Sequence, residues 1–153
     1  LPKKVTDRKK VSLSVSWERL AQKYSKRKMK KVYEVKSLSL SDLDNQEFIG
    51  LVGLHHSDLR IFAGKEAVEI GWRLRKEFWN RGYETEAAQA CLDFAFQQAG
   101  LSEVYSFTSL HNLPSQKVMQ KLGMEFVKEF DNEKVPAVSP LYRHILYRIK
   151  SFH

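Results

Sequence analysis

The chain has 153 residues, 42% hydrophobic and 12% aromatic, with 26 Lys and Arg against 18 Asp and Glu for a net charge of +8. That length and apolar content suit a single folded domain over 1–153, and exclude a disordered or low-complexity chain. The single cysteine, Cys91, excludes an internal disulfide framework and fits a reducing, cytoplasmic setting. No apolar run approaches the roughly 18 residues of a membrane span, and the opening residues lack a secretory pattern.

The charge is uneven. Residues 1–36 hold 13 of the basic residues and only 3 acidic ones, and the rest of the chain is slightly acidic. The cluster Lys26, Arg27, Lys28, Lys30 and Lys31 could grip phosphates, or it could be a solvated helix face. No zinc-finger spacing, RNA-binding aromatic signature or leucine-zipper heptad accompanies it, which weighs against nucleic acid.

In chain order, residues 6–25 carry two patterns. Val11, Leu13, Val15 and Trp17 alternate like a strand, while Trp17, Leu20, Ala21 and Tyr24 repeat like a helix; helix is the preferred reading, capped near Thr6 or Asp7. Val32 to Leu38 reads as a strand and Ser39 to Gln46 as a polar turn. Phe48 to Leu54 is apolar enough for a buried strand, and Ala67 to Arg75 alternates as another. Gly82 to Ala99 has a helical stripe of Tyr83, Ala87, Cys91, Phe94 and Ala95, closed by Gly100 as a left-handed cap. Val104 to Ser109 is rich in strand formers. Asn112 then caps a short helix with Pro114 in its first turn, ending at Gly123. Met124 to Phe130 and Leu141 to Ile149 complete the chain as strands.

Chemistry concentrates in Glu69 to Ala87, a strand, then a basic turn with a glycine, then a helix. A helix N-terminus presents unpaired N–H groups and partial positive charge, so this junction can hold a pyrophosphate. On physics alone an ordinary structural turn is equally good. His55 and His56 point to opposite strand faces and make poor joint metal ligands, so no metal site is expected. Cys91 reads as a buried core thiol, and Trp72, Phe78 and Trp79 as packing around the turn.

Five segments in one order sharpen this: E-F-I-G-L-V-G-L, V-E-I-G-W-R-L, F-W-N-R-G-Y-E-T-E-A, S-F-T-S-L-H-N-L-P-S-Q-K-V-M-Q-K-L-G-M and L-Y-R-H-I-L-Y-R. Together they resemble the GNAT superfamily of acetyl-CoA-dependent N-acetyltransferases, within it the branch of bacterial ribosomal-protein N-terminal acetyltransferases. The resemblance implies an α/β (α+β), three-layer fold with a mixed, mostly antiparallel sheet flanked by helices. It implies transfer of acetyl from acetyl-CoA to a primary amine, on a protein N-terminus or a small molecule. The backbone of Trp72, Arg73, Leu74 and Arg75 would pair with pantetheine. Asn80, Arg81, Gly82, Tyr83, Glu84 and Thr85 would hold the pyrophosphate, and Asn112 and Ser115 the pantetheine or thioester end.

Glu69, on the cofactor strand, is the candidate base, with a solvent-facing strand residue as the alternative. The Tyr that many relatives use to protonate the thiolate has no counterpart; Met119 stands near its place, which leaves Ser115 or water. Glu84 departs from the small residue usual in the family loop, and is expected to point outward. Aligned on these motifs, the chain would begin near the family's second helix and lack a first strand and helix. Residues 1–36 would then be a basic helix and strand, with Val32–Leu38 on an open sheet edge that invites a homodimer. A second reading makes the site degenerate and the basic segment a clamp for nucleic acid or an acidic partner.

Overall fold

The computed structural model describes residues 11–13, 38–42 and 48–151. Its strands are β1 (Val11–Leu13), β2 (Leu38–Asp42), β3 (Phe48–His56), β4 (Val68–Leu74), β5 (Glu103–Ser109), β6 (Glu125–Asp131) and β7 (Arg143–Lys150); its helices are α1 (Tyr83–Gln97) and α2 (Leu113–Lys121). They form one seven-stranded sheet in the order β1-β2-β3-β4-β5-β7-β6. Neighbours are antiparallel except β4 and β5, which run parallel. A mixed, mostly antiparallel sheet was the expectation, and it holds. The parallel step follows from the connection, since only a crossover such as α1 returns the chain in the same direction.

Three expectations change at the N-terminal side. Val11–Leu13 is strand, not helix: it pairs with β2 in the register Val11 to Asp42, Ser12 to Ser41 and Leu13 to Leu40. The segment read as a turn from Ser39 is strand as far as Asp42, because pairing with β1 and β3 supplies ladder partners that outweigh its polar residues. β2 therefore has a neighbour on each side and is not an open edge, and a strand does precede it. Among the described residues the outermost strand on this side is β1. The remainder of Val32–Leu38, the rest of the basic segment and the helix expected there lie outside the described residues. So does any support for the phosphate-clamp reading.

The core has two parts. Val52, Leu54, Ile70 and Leu74 from the sheet meet Ala87, Cys91, Leu92 and Ala95 of α1 and Met119 of α2. On the other face Leu59, Phe62, Ala67, Phe130 and Leu146 form a smaller cluster. β7 shows the alternation that separates them: Ile145 and Tyr147 join the first cluster and Leu146, between them, the second. Cys91 is fully buried, as its place on the helical stripe requires. Gly100 adopts φ 67° beyond α1, and the N–H of Leu101 returns to the carbonyl of Ala95 at 2.9 Å. Among the described residues no helix is long and apolar enough to cross a membrane.

Candidate active site

β4 and β5 are joined at one register pair, Glu69 opposite Tyr105. The buried Ser106 hydroxyl donates to the Ile70 carbonyl at 3.0 Å and closes that end. Beyond it Gly71–Leu74 has no register partner on β5, although its other side is paired with β3. A strand edge that the neighbouring strand leaves unpaired is a template for another extended chain.

The fork opens into a groove of about 540 Å³. Trp72, Arg73 and Leu74 of β4 line one side, Trp79, Asn80, Gly82, Glu84 and Thr85 another, and Asn112, Pro114, Ser115, Lys117, Val118 and Lys121 the third. At its end stands the N-terminus of α1. Gly82 is the cap residue there, at φ 81°, and being glycine makes no side-chain cap bond to the helix. A Cβ on Gly82 would meet nothing within 4 Å, so its left-handed backbone, not crowding, calls for glycine. Asn80 also has positive φ, 61°, so the turn reverses sharply and aims the amides at the groove. α2 begins differently: Asn112 accepts from the Ser115 N–H at 3.3 Å, so this end is capped by its own side chain.

Nine of the residues expected at a cofactor site come together in this groove: Trp72, Arg73, Leu74, Asn80, Gly82, Glu84, Thr85, Asn112 and Ser115. Arg75, Arg81 and Tyr83 do not line it. The two guanidinium groups lie over the Phe78 ring, at 5.5 and 5.7 Å from its centroid, and Tyr83 is buried edge-on to the same ring at 5.8 Å. They brace the turn from behind. Trp79, read as packing, is 47% exposed on the groove wall and is held by its indole N–H on the Leu74 carbonyl at 3.0 Å. Lys121 was missed, though its spacing of four from Lys117 puts both lysines on one helix face.

Glu84 corrects an expectation. It lines the groove instead of pointing outward, because the first turn of α1 faces the fork and a carboxylate is favourable at a helix N-terminus. Replacing Glu84 with Ala would remove a repulsion worth about 1 kcal/mol against a pyrophosphate in the groove, so affinity for acetyl-CoA, the cosubstrate expected from the sequence, should rise roughly fivefold. Calorimetric titration of the two proteins measures this; equal affinities would show that the carboxylate does not face the anion.

Glu69 lies elsewhere, on the sheet face turned away from the helices, since it alternates with Ile70, which packs under α1. It is 9% exposed, not a solvent-facing strand residue. Its carboxylate bonds Nε2 of His55, the residue directly across on β3. Tyr105, its neighbour on β5, uses its hydroxyl on Glu103 at 3.0 Å; burial raises that phenol above its usual range, and the Glu103 bond adds to it. Met119 is 1% exposed and locked in the core. Among the described residues no cluster of His, Cys, Asp or Glu could hold a metal.

A family model described as an acetyltransferase (GNAT) domain matches residues 3–125. An uncharacterised N-acetyltransferase of Bacillus subtilis is 38% identical over 63 residues, covering 41% of this chain and 37% of the relative. The first curated relatives are matched over only 29% to 55% of their length. A GNAT-family acetyltransferase structure from Bacillus anthracis superposes with TM-score 0.68 at 22% identity, covering 93% of this chain and 95% of that one. A ribosomal-protein-S5-alanine acetyltransferase structure from Vibrio fischeri gives TM-score 0.62 at 21% identity, with 87% and 69% covered. At these identities the two structures speak for the fold.

Proposed function

The chain belongs to the acetyltransferase (GNAT) family, and on that premise we propose that it transfers acetyl from acetyl-CoA to a primary amine by direct attack. What carries the proposal is the open fork of β4 and β5 running into a groove that ends at the glycine-capped N-terminus of α1. That is a strand template for an amide-bearing arm joined to an anion site. Acetyl-CoA has both parts, and the groove fits it on those two grounds.

In this reading Trp72, Arg73 and Leu74 hold the pantetheine arm along β4. Asn80, Gly82, Glu84 and Thr85 surround the pyrophosphate, and Lys117 and Lys121 add positive charge. The cosubstrate supplies an acyl group activated as a thioester. The amine must be neutral to attack, so a carboxylate or imidazole near the fork takes its proton. Glu69 sits at the last paired rung, on the face that the helices leave free, and is the residue for that task. A free N–H of β4 polarises the thioester carbonyl. Ser115, on the far wall, or solvent returns a proton to the leaving sulfur.

The amine is best sought among protein N-termini, in line with the structural likeness to an S5-alanine acetyltransferase, and among small amines. Millimolar CoA should raise the melting temperature by about 5 °C, and thiol release should follow on adding an alanine-initiated hexapeptide or spermidine. An unchanged melting temperature with CoA would remove the basis of this reading.

A further inference from the structure

We propose that His55 is a positioning residue for Glu69, so that the proton acceptor of this site is a His–carboxylate pair spanning two strands. This rests on the acetyl-transfer reading, in which Glu69 takes the amine proton.

His55 and Glu69 are cross-strand partners on antiparallel strands, so their side chains share one sheet face and meet directly. The contact runs from Nε2 of His55 to Oε1 of Glu69. An ionised carboxylate only accepts, so Nε2 carries the hydrogen. Nδ1 is buried and has no hydrogen-bond partner among the described residues, which also favours the tautomer with its hydrogen on Nε2. The Glu69 side chain is 11% exposed and that of His55 is 38% exposed: the imidazole forms the outer wall and the carboxylate lies behind it. With Oε1 tied to His55, Oε2 is the oxygen that the proposal assigns to receive the proton. In the step itself an N–H bond of the protonated amine breaks and an O–H bond forms at Glu69, and the electron pair left on nitrogen attacks the carbonyl carbon, whose C–S bond then breaks to release the thiolate of CoA.

The other charged groups around the pair are already engaged. Lys134, from the β6–β7 loop, bonds Asp58 and also feels the Glu69 charge, and beside it Asp58 holds its proton less tightly than an ordinary aspartate. Arg60 pairs with Glu133 at 2.9 Å. Tyr105, on β5, is turned to Glu103. His55 is thus the described side chain that meets the Glu69 carboxylate.

The test uses the purified chain with acetyl-CoA and the alanine-initiated hexapeptide or spermidine as acceptor. His55→Leu should lower kcat about tenfold or more, the worth of a hydrogen bond to a charged group, with KM for acetyl-CoA within twofold of the parent. His55→Gln, whose amide N–H can reach the same oxygen, should recover kcat to within about threefold. A packing role alone would not separate Leu from Gln in this way. The imidazole nitrogen signals of labelled His55 give a readout without turnover: Glu69→Gln should shift the Nε2 resonance. An unshifted resonance, or a Leu variant as active as the parent beside an inactive Glu69→Gln, overturns the pair. A fully active Glu69→Gln overturns the base assignment beneath it, and CoA-dependent stabilisation would still stand.

Discussion

Glu69→Gln should lower kcat by about 10²–10⁴-fold, the range lost with a general base, while leaving the affinity for acetyl-CoA unchanged. The separation comes from where the residue sits. Glu69 lies on the sheet face away from the helices and off the groove wall, while the groove residues come from the end of β4, α1 and α2. Gln has the same shape, and its amide oxygen can accept from Nε2 of His55, so folding should be nearly unaffected. Thiol-release rates with the hexapeptide or spermidine give kcat, and calorimetry gives the dissociation constant. A kcat within threefold of the parent would mean that water or another group takes the proton. A large loss of cofactor affinity would place Glu69 in the groove, against its position on the strand.

The largest stability effect is expected at Gly50. It lies between β2 and β4, opposite Leu40 on one side and Leu74 on the other, where the β2–β3 register slips between Leu40 and Ser41. A Cβ there would stand 2.2 Å from the Arg73 carbonyl oxygen and 2.8 Å from Leu74 Cα. Both are backbone atoms, so no rotamer change relieves the clash. Gly50→Ala should cost about 3 kcal/mol, at the upper end of overpacking, seen as a lower urea midpoint at constant slope. Gly71→Ala is the control: on the facing strand its Cβ would meet nothing within 4 Å, and its cost should stay near the glycine-to-alanine background. Since Arg73 and Leu74 line the groove, whatever folded Gly50→Ala remains should also bind acetyl-CoA more weakly. Equal midpoints for the two variants would show that the strands can part without loss.

Much of this protein was legible from residue order, because the signals were local. Periodicity placed α1 and five of the strands. Asn112 and Pro114 marked the start of α2, and Gly100 and Gly123, both at positive φ, marked helix ends. The groove was legible for the same reason: Trp72 to Thr85 is one continuous strand–turn–helix stretch, and local spacing fixes which elements its residues occupy. Segment order led to the family before any contact was known.

Tertiary structure decided what depends on pairing between distant segments. β2 is a strand because β1 and β3 flank it, although its serines and Asp42 read as a turn. Arg75 and Arg81 belong to the turn's support because Phe78 collects both guanidinium groups. Glu84 faces the groove because packing of α1 on the sheet sets its rotation, and one-dimensional spacing carries no such angle. Glu69 and His55 stand fourteen residues apart in sequence, and only the β3–β4 register makes them neighbours. The basic charge that stood out in the first 36 residues fixed where the positive residues are in the chain. Among the described residues the positive groups on the groove are Arg73, Lys117 and Lys121, and folding, not charge density along the sequence, decides which cations face a common ligand.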